Sequence, residues 1–164
     1  MTDRTAIEPL QGVRILGLAL NLPGPAALWR CVNMGAQCAK LEPVAPGGGG
    51  ADPMSLYCPG AYAQMHEGVH LMQADLKTEA GQALLHEQLA QTDVLLTSFR
   101  PSALTKLGLG WDALQQRYPR LSLVRVVGSE GALADVPGHD LTYQAEAGLV
   151  QSTALPPSLF ADMA

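Results

Sequence analysis

Asp140 is the side chain best placed by type and context to react. It closes the segment Val136-Pro137-Gly138-His139-Asp140, after a Pro-Gly turn and before Leu141-Thr142-Tyr143-Gln144. A carboxylate in such a place serves as a nucleophile or a general base. An aspartate ahead of a helix also serves as an N-cap, and spacing alone favours the cap. His139 is its neighbour, but adjacent residues point different ways, so the pair does not read as a dyad on one atom. An exposed turn histidine is the better reading. Arg100, before Pro101, suits a clamp on phosphate or carboxylate, and equally a surface arginine in a turn. Lys77 and Lys106 read as solvated helix charges. His66, His70 and His86 show no metal-ligand spacing, and no metal is assigned. There is no Gly-x-Ser-x-Gly elbow and no Cys/His nucleophile pair.

These residues need elements to hold them. Val13–Leu18 is short, apolar and branched, and reads as a buried strand. Asn21-Leu22-Pro23-Gly24-Pro25 is turn chemistry, with Pro25 suited to the first position of a helix that Gly35 ends. That turn lacks Gly-x-Gly-x-x-Gly, yet backbone N–H groups at the helix start would make a modest anion site. Gln37–Glu42 reads as a second strand, so the first three elements form a βαβ unit with a right-handed crossover. Residues 43–60 hold Gly47–Gly50 and four prolines, and read as a flexible loop. Without a following Lys-Ser/Thr the glycine run is no P-loop.

Residues 70–76 read as extended, and Thr78 caps a helix whose apolar face carries Leu84, Leu85 and Leu89. Asp93–Thr97 is the clearest strand. Short helices are expected over 102–107 and 111–118, a strand over 122–127, a loop over 128–138 and a helix over 143–150. Strands alternating with helices mean a parallel α/β sheet, with ligands at the strands' C-terminal ends. The turns at 21–25, 98–101 and 128–140 should meet there. Residues 151–164 read as the lead-in to a helix that does not follow.

Composition narrows the function. The chain has 164 residues, 48% of them hydrophobic, which suits one packed domain rather than a disordered segment. A net charge of −5 leaves no basic footprint for nucleic acid. No run approaches the roughly 20 apolar residues of a spanning helix, and the N-terminus shows no signal peptide. The cytoplasm is the expected location. Cys31, Cys38 and Cys58 read as two small buried hydrophobes and a loop thiol.

Taken in order, the segments resemble the N-terminal part of the class III coenzyme A transferase (CaiB/BaiF) family, which includes the α-methylacyl-CoA racemases. The matching pieces run from Pro9-Leu10-Gln11-Gly12-Val13-Arg14-Ile15-Leu16 through Leu22-Pro23-Gly24-Pro25 and Lys40-Leu41-Glu42-Pro43. They continue with Asp75-Leu76-Lys77-Thr78, Ser98-Phe99-Arg100-Pro101, Leu107-Gly108-Leu109-Gly110 and Gly138-His139-Asp140-Leu141-Thr142-Tyr143. The resemblance implies a Rossmann-like domain, without the family's C-terminal half, that binds coenzyme A at its strand ends. Asn21, Leu22, Pro23, Gly24, Ser98, Phe99, Arg100 and Gly128 are then the candidates to touch it. Coenzyme A and acyl-CoA are expected as substrates, with no permanently bound cofactor.

The resemblance further implies that Asp140 attacks an acyl-CoA thioester and passes through an anhydride and an enzyme thioester, with a small carboxylic acid as acceptor. In a racemase the matching aspartate instead moves a proton at the α carbon. Gly-His-Asp with Tyr143 is similar to the racemases and Gln144-Ala145 to the transferases, so both stay open. So does a non-catalytic half that binds a partner chain. A homodimer or a second chain supplying the missing half is expected. The chain departs from the family at Gly68-Val69-His70-Leu71, where a Gly-Lys-Arg-Ser step is usual, at Ser98 for Asn, and at the shortened Gly128-Ser129-Glu130-Gly131-Ala132 loop.

Overall fold

A computed structural model describes residues 8–48 and 50–150. Five strands form one parallel sheet: β1 (Arg14–Gly17), β2 (Gln37–Glu42), β3 (Val69–Gln73), β4 (Val94–Thr97) and β5 (Ser122–Arg125). Their order is β3-β2-β1-β4-β5. The registers are regular: Leu16 lies opposite Ala39 on one side and Leu95 on the other. The helices are α1 (Pro23–Asn33), α2 (Met54–Tyr57), α3 (Pro59–Met65), α4 (Glu79–Leu89), α5 (Pro101–Lys106), α6 (Trp111–Arg117) and α7 (Asp140–Glu146). This is the expected α/β architecture.

Strand alternation divides the core into two layers. Leu16, Leu18, Leu41 and Leu95 pack with Leu85, Leu89, Leu104 and Leu114 from α4, α5 and α6. Ile15, Cys38 and Leu96 pack with Leu28 of α1. Cys38 is buried and donates to the Leu28 carbonyl, and desolvation pushes its thiol up to about 12. Cys31 is half-buried and Cys58 exposed. Gly81 is required where α4 begins, since a Cβ there would overlap the Asp75 carbonyl. Thr78 caps α4 as expected, its hydroxyl accepting from the Gly81 N–H at 3.1 Å.

Three expectations change. The helix after β1 starts at Pro23, not Pro25, because prolines suit the first turn where N–H groups lack partners. Residues 43–60 are not one irregular loop. They contain α2 and the start of α3, and Asp52 within them is fully buried. The Asp52 carboxylate organises that stretch by accepting from the Met54 N–H at 2.9 Å. The last helix begins at Asp140, three residues before the expected start. The expectation for 151–164 lies outside the described residues.

Leu95 lies at the centre of the sheet with no exposed surface. Leu95→Ala leaves a cavity that surrounding strands cannot close, and is expected to cost about 2–5 kcal/mol in urea unfolding.

Candidate functional site

A cleft of about 500 Å³ opens where the strand order reverses. β1 is followed by a connection to one side of the sheet and β4 lies on its other side, so the segments leaving them diverge. Leu20–Pro23 after β1, Ser98 and Arg100 after β4, and Val126–Gly128 after β5 line it. Tyr57 of α2 forms one rim, and Ala134, Val136, Pro137, Gly138 and His139 form the other. That second rim is tied to the scaffold by Asp135, whose Oδ1 accepts from the Ser102 N–H at 3.0 Å. The Ser102 donors hold the Asp135 carboxyl below its ordinary range.

The three turns expected at the strand ends therefore do converge. Asn21, Leu22, Pro23, Ser98, Arg100 and Gly128 all line the cleft. Phe99 does not. It packs on the leucine layer and lines a smaller, largely apolar hollow of about 170 Å³ with Leu76 and Leu107. Alternation sends it the other way from Ser98 and Arg100. Gly24 is also off the wall, buried where a Cβ would overlap that of Ala19. The anion site expected at this helix start shrinks too, because Pro23 and Pro25 carry no N–H.

Tyr143 enters the cleft from α7 through a gap made of two glycines. A Cβ at Gly138 would lie 2.5 Å from its hydroxyl, and one at Gly128 would overlap it. Gly128 is thus needed for close approach, which its type alone does not reveal.

Asp140 is 3% exposed and does not line the cleft, although its chain neighbour His139 does. Gln144, one turn on, donates from Nε2 to Asp140 Oδ2. Spacing favoured Asp140 as the N-cap, but the cap position belongs to His139, and Asp140 is the first helical residue. The His139 N–H is satisfied by Thr142 Oγ1 at 3.3 Å. His139 is exposed, as expected of a turn histidine, and also lines the cleft. Lys106, in α5, is exposed as a solvated helix charge should be, whereas Lys77 is exposed in the turn before the Thr78 cap and outside α4.

Behind the Asn21 side of the cleft lies a buried polar cluster that the sequence reading did not single out. Lys40 has no exposed surface, Asp52 none, Glu42 2% and His66 7%. The Lys40 ammonium meets Asp52 Oδ2 at 2.5 Å, Glu42 Oε1 at 2.8 Å and His66 Nε2 at 3.0 Å. Three N–H donors meet three acceptors, which makes this burial tolerable. His66 Nε2 must then accept, so the ring is neutral and its Nδ1–H donates to the Tyr62 carbonyl at 2.6 Å. Desolvation, with the Lys40 charge beside it, holds His66 below its ordinary value. Glu42, Asp52 and His66 converge closely enough to hold a metal ion, a grouping invisible in their spacing. The Lys40 ammonium stands between them as the cation. Tyr62 donates to Glu42 Oε1 at 2.9 Å, and desolvation together with that carboxylate raises its phenol above the ordinary range. The available signal was Lys40 and Glu42, alternating with apolar residues on a strand flanked by two others.

The profile of CoA-transferase family III matches residues 10–159, and the chain belongs to that family. It is 34% identical over 164 residues to the probable fatty acyl-CoA transferase Rv3272 of Mycobacterium tuberculosis, covering 95% of this chain and 41% of that protein. It is 33% identical to the cinnamoyl-CoA:phenyllactate CoA-transferase of Clostridium sporogenes, over 80% of this chain and 34% of the relative. A crystal structure of Rv3272 superposes with a TM-score of 0.80 at 32% identity, covering 94% of this chain and 46% of that one. A CaiB/BaiF family protein from Brucella suis superposes at 0.78 with 26% identity, over 94% and 45%. The chain thus spans less than half the length of these relatives.

Two measurements test this geometry. Gly128→Ala should cost about 1–3 kcal/mol in thermal unfolding by driving into Tyr143, and Tyr143→Leu in the same background should recover part of the loss. The second concerns pH. A histidine whose folded value lies below its unfolded 6.5 binds protons more readily when unfolded. Stability is therefore full above about pH 6.5 and falls as pH drops below it. His66→Gln, which keeps an acceptor for Lys40, should flatten that slope. His86, lowered by burial and by Arg117, contributes to the slope in the same direction.

Proposed function

We propose that this chain carries the acyl-CoA cleft and the nucleophile of a coenzyme A transferase, with Asp140 as the nucleophile. The observation that carries the reading is the cleft at the β1/β4 reversal, lined by Arg100, His139 and Tyr143, with Asp140 buried and next to His139 in the chain. Arg100 is exposed at the cleft and suits a coenzyme A phosphate. Asn21, Leu22, Pro23, Ser98 and Gly128 would contact the rest of the thioester. Phe99 and Gly24, being off the wall, would support it from behind.

In the proposed reaction an Asp140 carboxylate oxygen attacks the thioester carbonyl carbon. The C–S bond breaks, coenzyme A leaves as thiolate, and a mixed anhydride remains. The thiolate then attacks the Asp140 carbonyl, giving an enzyme thioester and freeing the first acid. The acceptor carboxylate then attacks the aspartyl thioester carbonyl, expelling the coenzyme A thiolate and forming a second mixed anhydride, and the thiolate attacks the acceptor's acyl carbon, giving the new acyl-CoA and restoring the Asp140 carboxylate. Burial helps because a carboxylate shielded from water is a better nucleophile.

Relatives named for cinnamoyl-CoA and phenyllactate, or succinyl-CoA and D-citramalate, support an acyl-CoA donor and a carboxylic acid acceptor. A relative named as the beta subunit of a succinyl-CoA–L-malate CoA-transferase supports a partner chain, or a second copy, completing the catalytic unit. Coenzyme A is a substrate in this reading, and no resident cofactor or metal enters a step. We place the reaction in the cytoplasm. Among the described residues no helix is long and apolar enough to cross a membrane.

A second reading, α-methylacyl-CoA racemisation, draws on the adjacency of His139 at the wall and the buried Asp140. There Asp140 would move a proton at the α carbon without breaking the thioester.

Incubation with acyl-CoA followed by hydroxylamine should leave a hydroxamate at Asp140, and Asp140→Asn should lower transfer by about 10³-fold or more. A preparation that transfers coenzyme A yet never marks Asp140 sinks the aspartyl route. Deuterium entering the α carbon without acyl exchange selects the racemase.

A further inference from the structure

We propose that Asp52 is a positioning residue for the cleft, fastening the two segments of its Asn21 side to the buried Lys40 ammonium. The two carboxylate oxygens do separate jobs. Oδ2 receives the Lys40 ammonium at 2.5 Å. Oδ1 accepts the Asn21 N–H at 3.1 Å and the Met54 N–H at 2.9 Å. The Asp52 carbonyl also accepts the Ser55 hydroxyl at 2.7 Å.

Both held segments reach the cleft. Asn21 lines it directly, and Met54 opens the short helix that ends at Tyr57, which lines it too. Asn21 has φ of +61°, the one positive value of a non-glycine among the described residues. Asparagine tolerates that conformation better than most residues with a Cβ, but a contact is still needed to select it. The enforcing contact is the bond from its own N–H to a carboxylate that cannot move. Asp52 is immobile because it is fully buried against Lys40, and Lys40 is fixed in turn by Glu42 and His66.

Only a carboxylate can fill this role. Both its oxygens face donors: an ammonium on one side and two backbone N–H groups on the other. Asparagine has the same shape but a single acceptor oxygen. Whichever way its amide turns, its NH₂ meets a donor. Asp52→Asn should therefore release either Lys40 or the Asn21 and Met54 amides. Removing the ammonium resolves the conflict at Asp52, and the Glu42 carboxylate, having lost its counter-charge, keeps the Tyr62 hydroxyl and gains the new NH₂ as donors. In Lys40→Met/Asp52→Asn the NH₂ faces the acceptors left by Lys40, on Glu42 and His66, and the amide oxygen returns to the two N–H groups. A role in packing alone would be insensitive to the isosteric change and would not be rescued by a second lost interaction.

The proposal rests on the cleft being the acyl-CoA site, so the test has one readout that does not need it. Amide exchange by NMR on the whole chain should show the Asn21 and Met54 amides exchanging about tenfold faster or more in Asp52→Asn. The Leu16 and Leu95 amides should be unchanged, and the double variant should return near the wild type. Calorimetry with coenzyme A should show about tenfold weaker binding for Asp52→Asn and recovery in the double variant. Unchanged Asn21 and Met54 exchange overturns the proposal. So does acceleration of all amides alike without rescue, or failure of both variants to fold. Faster exchange with unaltered coenzyme A affinity overturns the link to the cleft. Wild-type chain that binds no coenzyme A refutes the acyl-CoA reading instead, while the amide data still decide what Asp52 holds.

Discussion

Leu16 of β1 lies in parallel register with Ala39 of β2 on one side and Leu95 of β4 on the other. Parallel strands demand long crossovers, and those crossovers are helices that cover both faces of the sheet. With β1 central, the first crossover carries the chain to β2 and the later one brings it back past β1 to β4. The segments leaving β1 and β4 then separate, and the cleft lies between them. The two leucine layers and the cleft are consequences of that one placement.

Covering both faces has a cost at β2. Cys38, Lys40 and Glu42 share one face of that strand, and the helical stretch from Asp52 to His66 closes over it. A lone buried ammonium would be prohibitive, so the cover must bring acceptors. It brings Asp52 and His66, while Tyr62 secures Glu42. The stretch that reads as a Gly/Pro loop is thus ordered from Asp52 onward because it carries the counter-charges of a neighbouring strand. The same cluster adjoins the cleft through Asn21.

Around the cleft, positive charge is sparse. Among the described residues, Arg100 is the one lysine or arginine lining it. Where the family resemblance would place a basic step, this chain has His70 and Leu71, both exposed on the edge strand β3. Ser98 occupies the cleft wall in place of the usual asparagine. Val136 and Tyr57 present apolar surface at opposite rims, 57% and 63% exposed. Such surface at a cleft mouth is suited to apolar contacts.

Strand and helix identities were legible in the sequence because they rest on local chemistry. Branched apolar runs built β1 and β4, Thr78 capped α4, and glycines and prolines punctuated the turns. The parallel sheet followed from alternation, and the meeting of residues 21–23, 98–100 and 128 followed from the sheet. Tertiary structure alone decided which side chains of those turns face the cleft, turning Phe99 to the leucine layer and Gly24 against Ala19. It also decided the burial of Asp140, the seating of Tyr143 between Gly128 and Gly138, and the gathering of Lys40, Glu42, Asp52 and His66. Lys40 reaches Asp52 and His66 across 12 and 26 residues of chain, and whether a charge at such a separation finds its partner depends on how the crossovers pack, which local pattern does not encode.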